Sequence, residues 1–136
     1  MKKLYNAALG YMVAGLAAGI FVRLYIDQMV HFEGESQLKL LHFHLLVLGM
    51  VVFLLVMALE KAFSLSKSRY FNLFFWHYNG GLVLTTGVML VHGIMQVQGV
   101  KDSAMIAGIA GLGHIILTVG LGFLFAALYQ RAVKEK

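Results

Sequence analysis

The chain contains no cysteine and no proline, and only 12% of its 136 residues are charged. Without cysteine it cannot form a disulfide, an iron–sulfur cluster, a thiolate-bound metal site or the C-x-x-C-H attachment of a c-type haem. The sequence also lacks a phosphate-binding P-loop, a dinucleotide-binding glycine motif and a hydrolase constellation. It therefore gives no direct sign of catalytic turnover.

Hydrophobic residues make up 60% of the chain, and the mean hydropathy is +0.81. A soluble domain of this size cannot bury so much apolar surface, so a lipid bilayer is the expected surrounding. Four apolar segments each exceed the roughly 20 residues that a helix needs to cross the hydrocarbon layer. The sequence therefore predicts an all-α membrane protein, one domain over residues 1–136 that forms a four-transmembrane-helix bundle. The predicted spans are Leu4–Ile26, Leu38–Leu59, Phe71–Val97 and Ala104–Tyr129.

The net charge of +5 is explained by membrane topology, because the basic residues lie in loops and tails rather than on one face. Nucleic acid is therefore not an expected partner. Arg23, Lys39 and Lys101 fall near one side of the membrane, and the other basic residues fall on the opposite side. The excess of basic residues on the opposite side predicts that this side is cytoplasmic and holds both the N and the C terminus. The protein would then be a multi-pass protein of a bacterial-type inner membrane. The more basic side holds Lys2, Lys3, Lys61, Lys67, Arg69, Arg131, Lys134 and Lys136.

Two histidines lie two residues apart near the outer end of the second span. A helix turns about 100° per residue, so His42 and His44 point roughly 200° apart and cannot easily hold one ligand together. We expect them about 8–10 Å below the outer face, each facing a different site. An ionisable residue inside hydrocarbon is a candidate functional residue, because its burial without a partner is costly.

Two further histidines lie within the third and fourth spans. His92 is expected at the depth of His42 and His44, where it is either a ligand or a polar contact between helices. His114 belongs to a face of small residues that we expect to pack inward, near the middle of the bilayer, as a structural histidine or a ligand. The other residues of that face are Ala107, Gly111, Thr118 and Gly122.

The remaining histidines are expected to be structural. His77 follows a group of aromatic residues that is typical of the membrane–water interface. His31 lies in the outer loop with Glu33 and Glu35, where we expect it to be solvated.

Imidazole is a good ligand for haem iron, zinc and copper. Zinc or copper would require three or four ligands that converge, whereas haem requires one histidine on each face of a planar ring. Divergent histidines therefore favour haem. Gly49 lies nearly in line with His42, two turns deeper, and either leaves room for a flat macrocycle or only aids helix packing. Arg23 and Lys39 are the nearest cations to the carboxylates of such a group.

The string LLHFHLLVLGM resembles the His-x-His helix of subunit I of haem–copper oxidases and nitric oxide reductases. In that family one histidine binds the high-spin haem and the other binds the low-spin haem on the opposite side of the helix. The resemblance implies that His42 and His44 are ligands of haem iron. Nearly the whole chain also resembles a family of small four-span bacterial membrane proteins of unknown function, especially in LHFHLLVLGM, FFWHYN and GIAGLGHIILT.

The sequence departs from the oxidases at their copper site. That site uses a histidine on one helix and an adjacent His-His pair on the next, and no His-His pair occurs here. The cross-linked His–Tyr element of the oxidases has no counterpart either, because Tyr78 directly follows His77. The resemblance therefore implies haem binding, and it leaves open whether the protein is an enzyme.

Subunit I has twelve spans in three similar groups of four, so the resemblance suggests three copies of a four-span chain. In a closed ring, His42 of one copy would face His44 of the next across a haem, and no half-site would stay open. The first and fourth spans would supply close helix contacts through residues such as Gly15 and Gly19. Pairing of His42 or His44 with His92 inside one chain is the alternative.

The sequence thus predicts a membrane protein that binds haem b, for electron transfer, quinol contact or sensing of gas or redox state. Its partners would be the lipid bilayer, further copies of itself in a homotrimer, and a quinol or another redox partner. One alternative is a membrane protein that binds or transports copper or zinc through His42, His44 and His92. Another is a structural or assembly protein without a cofactor, whose histidines hydrogen-bond between helices.

Overall fold

The computed structural model describes residues 1–101 and 103–134, and in this part of the chain all regular structure is helical. Four helices are long and apolar enough to cross a membrane, so this part of the prediction is confirmed. Lys136, predicted on the cytoplasmic side, and Asp102, in the last loop, lie outside the described residues. The four spans cover Lys2–Val30, Leu38–Phe63, Phe71–Val97 and Ala104–Lys134.

The first, second and fourth spans combine α-helical and π-helical stretches. In the first span α1 (Lys2–Arg23) continues as a π-helical stretch, Leu24–Val30. In the second, α2 (Leu38–His44) is joined by the π-helical stretch Leu45–Val51 to α3 (Val52–Phe63). The third span is α4 (Phe71–Val97), and the fourth is α5 (Ala104–Leu128) with a π-helical end, Tyr129–Lys134.

Left-handed residues end the spans. His31 (φ 50°) follows the first span, Ser64 (φ 52°) follows the second, and Gly99 (φ 71°) follows the third. A residue in this conformation cannot continue a right-handed helix, so the chain turns back at each of these positions. The fourth span then begins at a capped end, where the Ser103 side chain accepts a hydrogen bond from the backbone N–H of Met105.

The spans pack as two helical hairpins. The first span packs mainly on the second, and α5 packs along α4. A cluster of aromatic rings joins the hairpins, since Phe53 of the second span contacts Tyr11 of the first and Tyr78 of the third, with ring centroids 5.8 and 5.6 Å apart. Phe53 and Tyr78 are fully buried.

Small residues bring the helix backbones close together within each hairpin. A Cβ at Gly81 would lie 2.4 Å from the backbone nitrogen of Leu117, and a Cβ at Gly120 would lie 2.7 Å from the backbone nitrogen of Tyr78. In the first hairpin, a Cβ at Gly15 would lie 2.7 Å from the Leu46 side chain. These three glycines therefore set the distances between neighbouring spans.

The inward face of α5 differs from the predicted one. His114 and the four small residues grouped with it are exposed, whereas the opposite face packs against α4. The prediction that His114 faces inward was wrong. Small residues occur on both faces of α5, and the face with Gly113 and Gly120, two turns apart, is the one that fits the backbone of α4.

We expect Gly81→Ala to destabilise the protein, because its new Cβ would meet the Leu117 backbone, which cannot move aside cheaply. Overpacking of this kind costs about 1–3 kcal/mol. Thermal unfolding of the purified protein in detergent micelles would measure the loss as a lower Tm. Gly80→Ala is the matched control, since nothing lies within 4 Å of its Cβ position. Equal Tm values for the two variants would contradict this packing.

Candidate functional site

His42 lies on α2 and faces the first span. A Cβ built on Gly19 would lie 3.7 Å from the Cβ of His42 and 3.8 Å from its Cγ. These are ordinary van der Waals distances, so the imidazole lies directly beside α1 at Gly19. His42 is partly buried in this position.

The His42 side chain lines a cavity of about 300 Å³ between the first and second spans. Two cations that the sequence analysis proposed for the same site, Arg23 and Lys39, line this cavity as well. Residues from two spans thus bring one imidazole and two cations to one cavity near the Val30–Leu38 end of the protein. The other lining residues are Gly19, Val22, Ile26 and Asp27.

Asp27 is a lining residue that the sequence analysis missed. The predicted first span ended at Ile26, which left Asp27 in a loop. In the structure the span continues to Val30. This extension keeps Asp27 one helical turn beyond Arg23, on a neighbouring part of the same helix surface. The four-residue spacing of Arg23 and Asp27 was the available signal.

The cations of the cavity differ in their surroundings. Arg23 is exposed. The Lys39 Nζ donates a hydrogen bond of 2.8 Å to the backbone oxygen of Gly34, which ties the loop between the first and second spans to α2. With two cations and one carboxylate, the formal charge of the side chains that line the cavity is positive, and this charge favours an anionic ligand group.

The His42 Nδ1 is buried and has no hydrogen-bond partner among the described residues. Three other histidines behave differently, since the Nδ1 atoms of His44, His77 and His114 each lie 2.8 to 3.0 Å from the backbone oxygen four residues earlier. A carbonyl oxygen only accepts, so Nδ1 is the donor in these three bonds, and in a neutral ring Nε2 then keeps its lone pair. The protein fixes the tautomer of these rings but leaves that of His42 open.

His44 is partly buried and does not line the cavity of His42. Its Nδ1 bonds the backbone oxygen of Leu40, and Leu40 lines a different cavity, which it shares with Gln96 of α4. His42 therefore lies beside the first span, whereas the hydrogen-bond partner of His44 belongs to a residue that lines a cavity with the third span. The lone pair on the His44 Nε2 suits a metal ligand whose other nitrogen is held by a backbone carbonyl.

His92 and His114 lie away from the cavity of His42. His92 is partly buried on α4 and precedes Gly93, whose backbone meets Leu38 of α2. His114 is exposed on α5. Of the six candidate residues besides Gly49, the structure thus brings His42, Arg23 and Lys39 together, and it does not add His44, His92 or His114 to them.

Gly49 is covered by the Tyr11 ring. A Cβ at Gly49 would lie 2.4 Å from the Cγ of Tyr11, and the Tyr11 hydroxyl donates a hydrogen bond of 2.8 Å to the Asn79 side chain. The Tyr11 ring fills the space beside Gly49. This agrees with the alternative in which Gly49 only aids helix packing. We therefore leave Gly49 out of the candidate site.

No group of three or more histidine, aspartate or glutamate side chains that could hold a metal ion occurs within residues 1–101 and 103–134. Zinc in proteins requires such a group, because its structural and catalytic sites use three or four protein ligands. Haem iron takes one or two ligands from the protein, so a single histidine such as His42 could serve as one.

Comparison with known proteins gives one match. Residues 1–131 match the model of DUF2871, a family of proteins of unknown function, and the chain belongs to that family. No curated protein and no solved structure matches the chain. The predicted family of unknown function is thereby shown, and the resemblance to subunit I of haem–copper oxidases stays a prediction.

Proposed function

We propose that this protein is an integral membrane protein that binds b-type haem at the cavity between the first and second spans, with His42 as an iron ligand. Its role would be electron transfer or the sensing of gas or redox state, and quinol is one class of redox partner. A bound haem would supply reversible one-electron chemistry or an iron atom that binds a diatomic gas. We place the protein in a bacterial-type inner membrane, with both termini in the cytoplasm.

The observation that carries this proposal is the unpartnered His42 Nδ1 in a cavity that Arg23 and Lys39 also line. A buried polar atom without a hydrogen bond costs about 1–3 kcal/mol. The His42 ring bears this cost at a position where it also lines a cavity large enough to admit a ligand group. The other described histidines whose Nδ1 bonds a backbone oxygen already have a partner for that atom.

Arg23 and Lys39 suit the two propionate groups of a haem. Carboxylates at this depth need cationic or hydrogen-bonding partners, and a guanidinium can bind a carboxylate through two parallel hydrogen bonds. Asp27 of the same cavity would repel a second carboxylate. We therefore expect the propionates to lie on the side of Arg23 and Lys39.

The cavity is small for a whole haem, since about 300 Å³ is the lower end of the range for ligand pockets. One chain would therefore enclose only part of the macrocycle, and a second copy would cover the rest. We propose a homotrimeric ring in which His44 of the next copy supplies the second axial ligand. His42 and His44 have different surroundings within one chain. In such a ring, each would be an axial ligand of a haem that two neighbouring copies share.

Replacement of His42 tests the proposed ligand. We expect His42→Asn to lower the haem-to-protein ratio at least about tenfold, or to leave a haem with one axial ligand and a high-spin spectrum, because even residues behind a metal ligand contribute 10–100-fold to affinity. Pyridine haemochrome absorbance measures the ratio. His31→Asn is the matched control, since His31 is exposed in the outer loop and asparagine tolerates its left-handed backbone. The same ratio and spectrum in both variants would contradict the assignment.

Replacement of Arg23 tests the proposed propionate partner. Arg23→Leu should lower haem retention or shift the reduction potential, because a propionate carboxylate would lose its cationic partner. Arg23→Lys keeps a positive charge and should therefore recover part of the wild-type retention and potential. A redox titration followed by visible absorbance measures the potential. Lys101→Leu is the control, since Lys101 is exposed and does not line the cavity. If Arg23→Leu and Lys101→Leu behave alike, Arg23 does not belong to the site.

Native mass spectrometry tests the ring. The wild-type protein should appear as a trimer that carries three haems, and His44→Ala should disturb all of them, whereas His92→Ala should keep the low-spin spectrum. If His92 is instead a ligand within one chain, His92→Ala should lose the low-spin spectrum. A monomer that holds a fully bis-histidine-ligated haem would rule the ring out.

A further inference from the structure

Basic residues from three segments lie at the end of the protein where the described chain begins and ends. The Ser68 Oγ donates a hydrogen bond of 2.8 Å to the Gln130 side chain, and the Arg131 Nε donates one of 3.3 Å to the backbone oxygen of Phe63. These bonds join the connection between the second and third spans to the end of the fourth span. We call this region the terminal corner, and its basic residues are Lys61, Lys67, Arg69, Arg131 and Lys134.

The terminal corner has little negative charge. Glu60 is the acidic residue at this end of the described chain. Its carboxylate accepts hydrogen bonds from the backbone N–H and the hydroxyl of Ser66, at 2.7 and 2.5 Å. Glu60 therefore holds the turn in shape, and the described side chains of the corner keep a positive excess.

The Arg69 guanidinium is held in a defined position at the corner. Its carbon lies 4.7 Å from the centroid of the Tyr70 ring, and its Nη2 donates a hydrogen bond to the Tyr70 hydroxyl. The Tyr70 ring is in turn stacked on Phe123 of α5, with centroids 6.4 Å apart and planes 16° apart. A guanidinium carries five N–H donors, so it can bind a phosphate while it keeps this contact.

We propose that Arg69, positioned by Tyr70, and the neighbouring Lys67 bind the headgroup phosphate of an anionic phospholipid in the leaflet nearest the terminal corner. Both basic residues are exposed. The corner lies at the ends of membrane-spanning helices, and the exposed Trp76 and Tyr129 are aromatic residues of the kind that lies at headgroup level. The positive excess selects an anionic headgroup over a zwitterionic one. This inference does not depend on haem binding.

Native mass spectrometry of the delipidated protein in a nonionic detergent tests this site. The protein would be titrated with phosphatidylglycerol and, in parallel, with phosphatidylcholine. We expect phosphatidylglycerol to bind more tightly, and Arg69→Gln and Lys67→Gln each to weaken it about fivefold, because one basic residue near a membrane surface contributes about that factor. Tyr70→Phe should also weaken phosphatidylglycerol binding, because it removes the hydroxyl to which the Arg69 guanidinium donates a hydrogen bond.

Lys101→Gln is the control, because it removes a cation from the opposite end of the protein and should leave binding unchanged. Equal binding of the two lipids, or equal effects of Lys67→Gln and Lys101→Gln, would overturn the proposal. Displacement of phosphatidylglycerol by an equal concentration of inorganic phosphate would also overturn it, since the corner would then bind a soluble anion.

Discussion

Inside a bilayer, every polar group of the protein needs a hydrogen-bond partner within the protein, because the hydrocarbon offers none. The described spans follow this rule with hydrogen bonds both between helices and within one helix. The Tyr78 hydroxyl donates to the backbone oxygen of Leu48, and the Thr86 hydroxyl donates to that of Leu82. Two buried side-chain atoms in the described chain are exceptions, the His42 Nδ1 and the Thr85 Oγ1. Thr85 lies between α4 and α5, where its hydroxyl is packed against Gly113. The ring of His42 also lines a cavity that Arg23 and Lys39 share, so a bound group can lie against it.

The spans themselves could be predicted from the sequence because membrane crossing depends on length and hydropathy, which are properties of one segment. Helix packing depends on which of several small residues meets a neighbour, and this is a property of two segments. Gly111 and Gly113 are two residues apart in α5, yet the second packs on α4 and the first is exposed. Gly49 shows the same difficulty, because the sequence does not reveal that Tyr11, 38 residues earlier, covers it.

The candidate site could be predicted in part. Depth along a helix follows from counting residues, and this places His42, Arg23 and Lys39 near one end of the membrane. Their shared cavity depends on the close approach of the first and second spans at Gly19. Asp27 was missed because the first span is four residues longer than its apolar run, which ends at Ile26. A charged residue can continue a helix beyond the hydrocarbon layer, so hydropathy alone places the helix end too early.

The absorption spectrum of the wild-type protein shows whether the cavity at His42 holds a haem. The protein would be expressed with ample haem supply, purified, and measured in the oxidised and the dithionite-reduced state. The account predicts a Soret band that shifts on reduction, with sharp visible bands typical of a bis-histidine b-type haem. A protein that is folded and carries no visible absorption under these conditions would contradict the account.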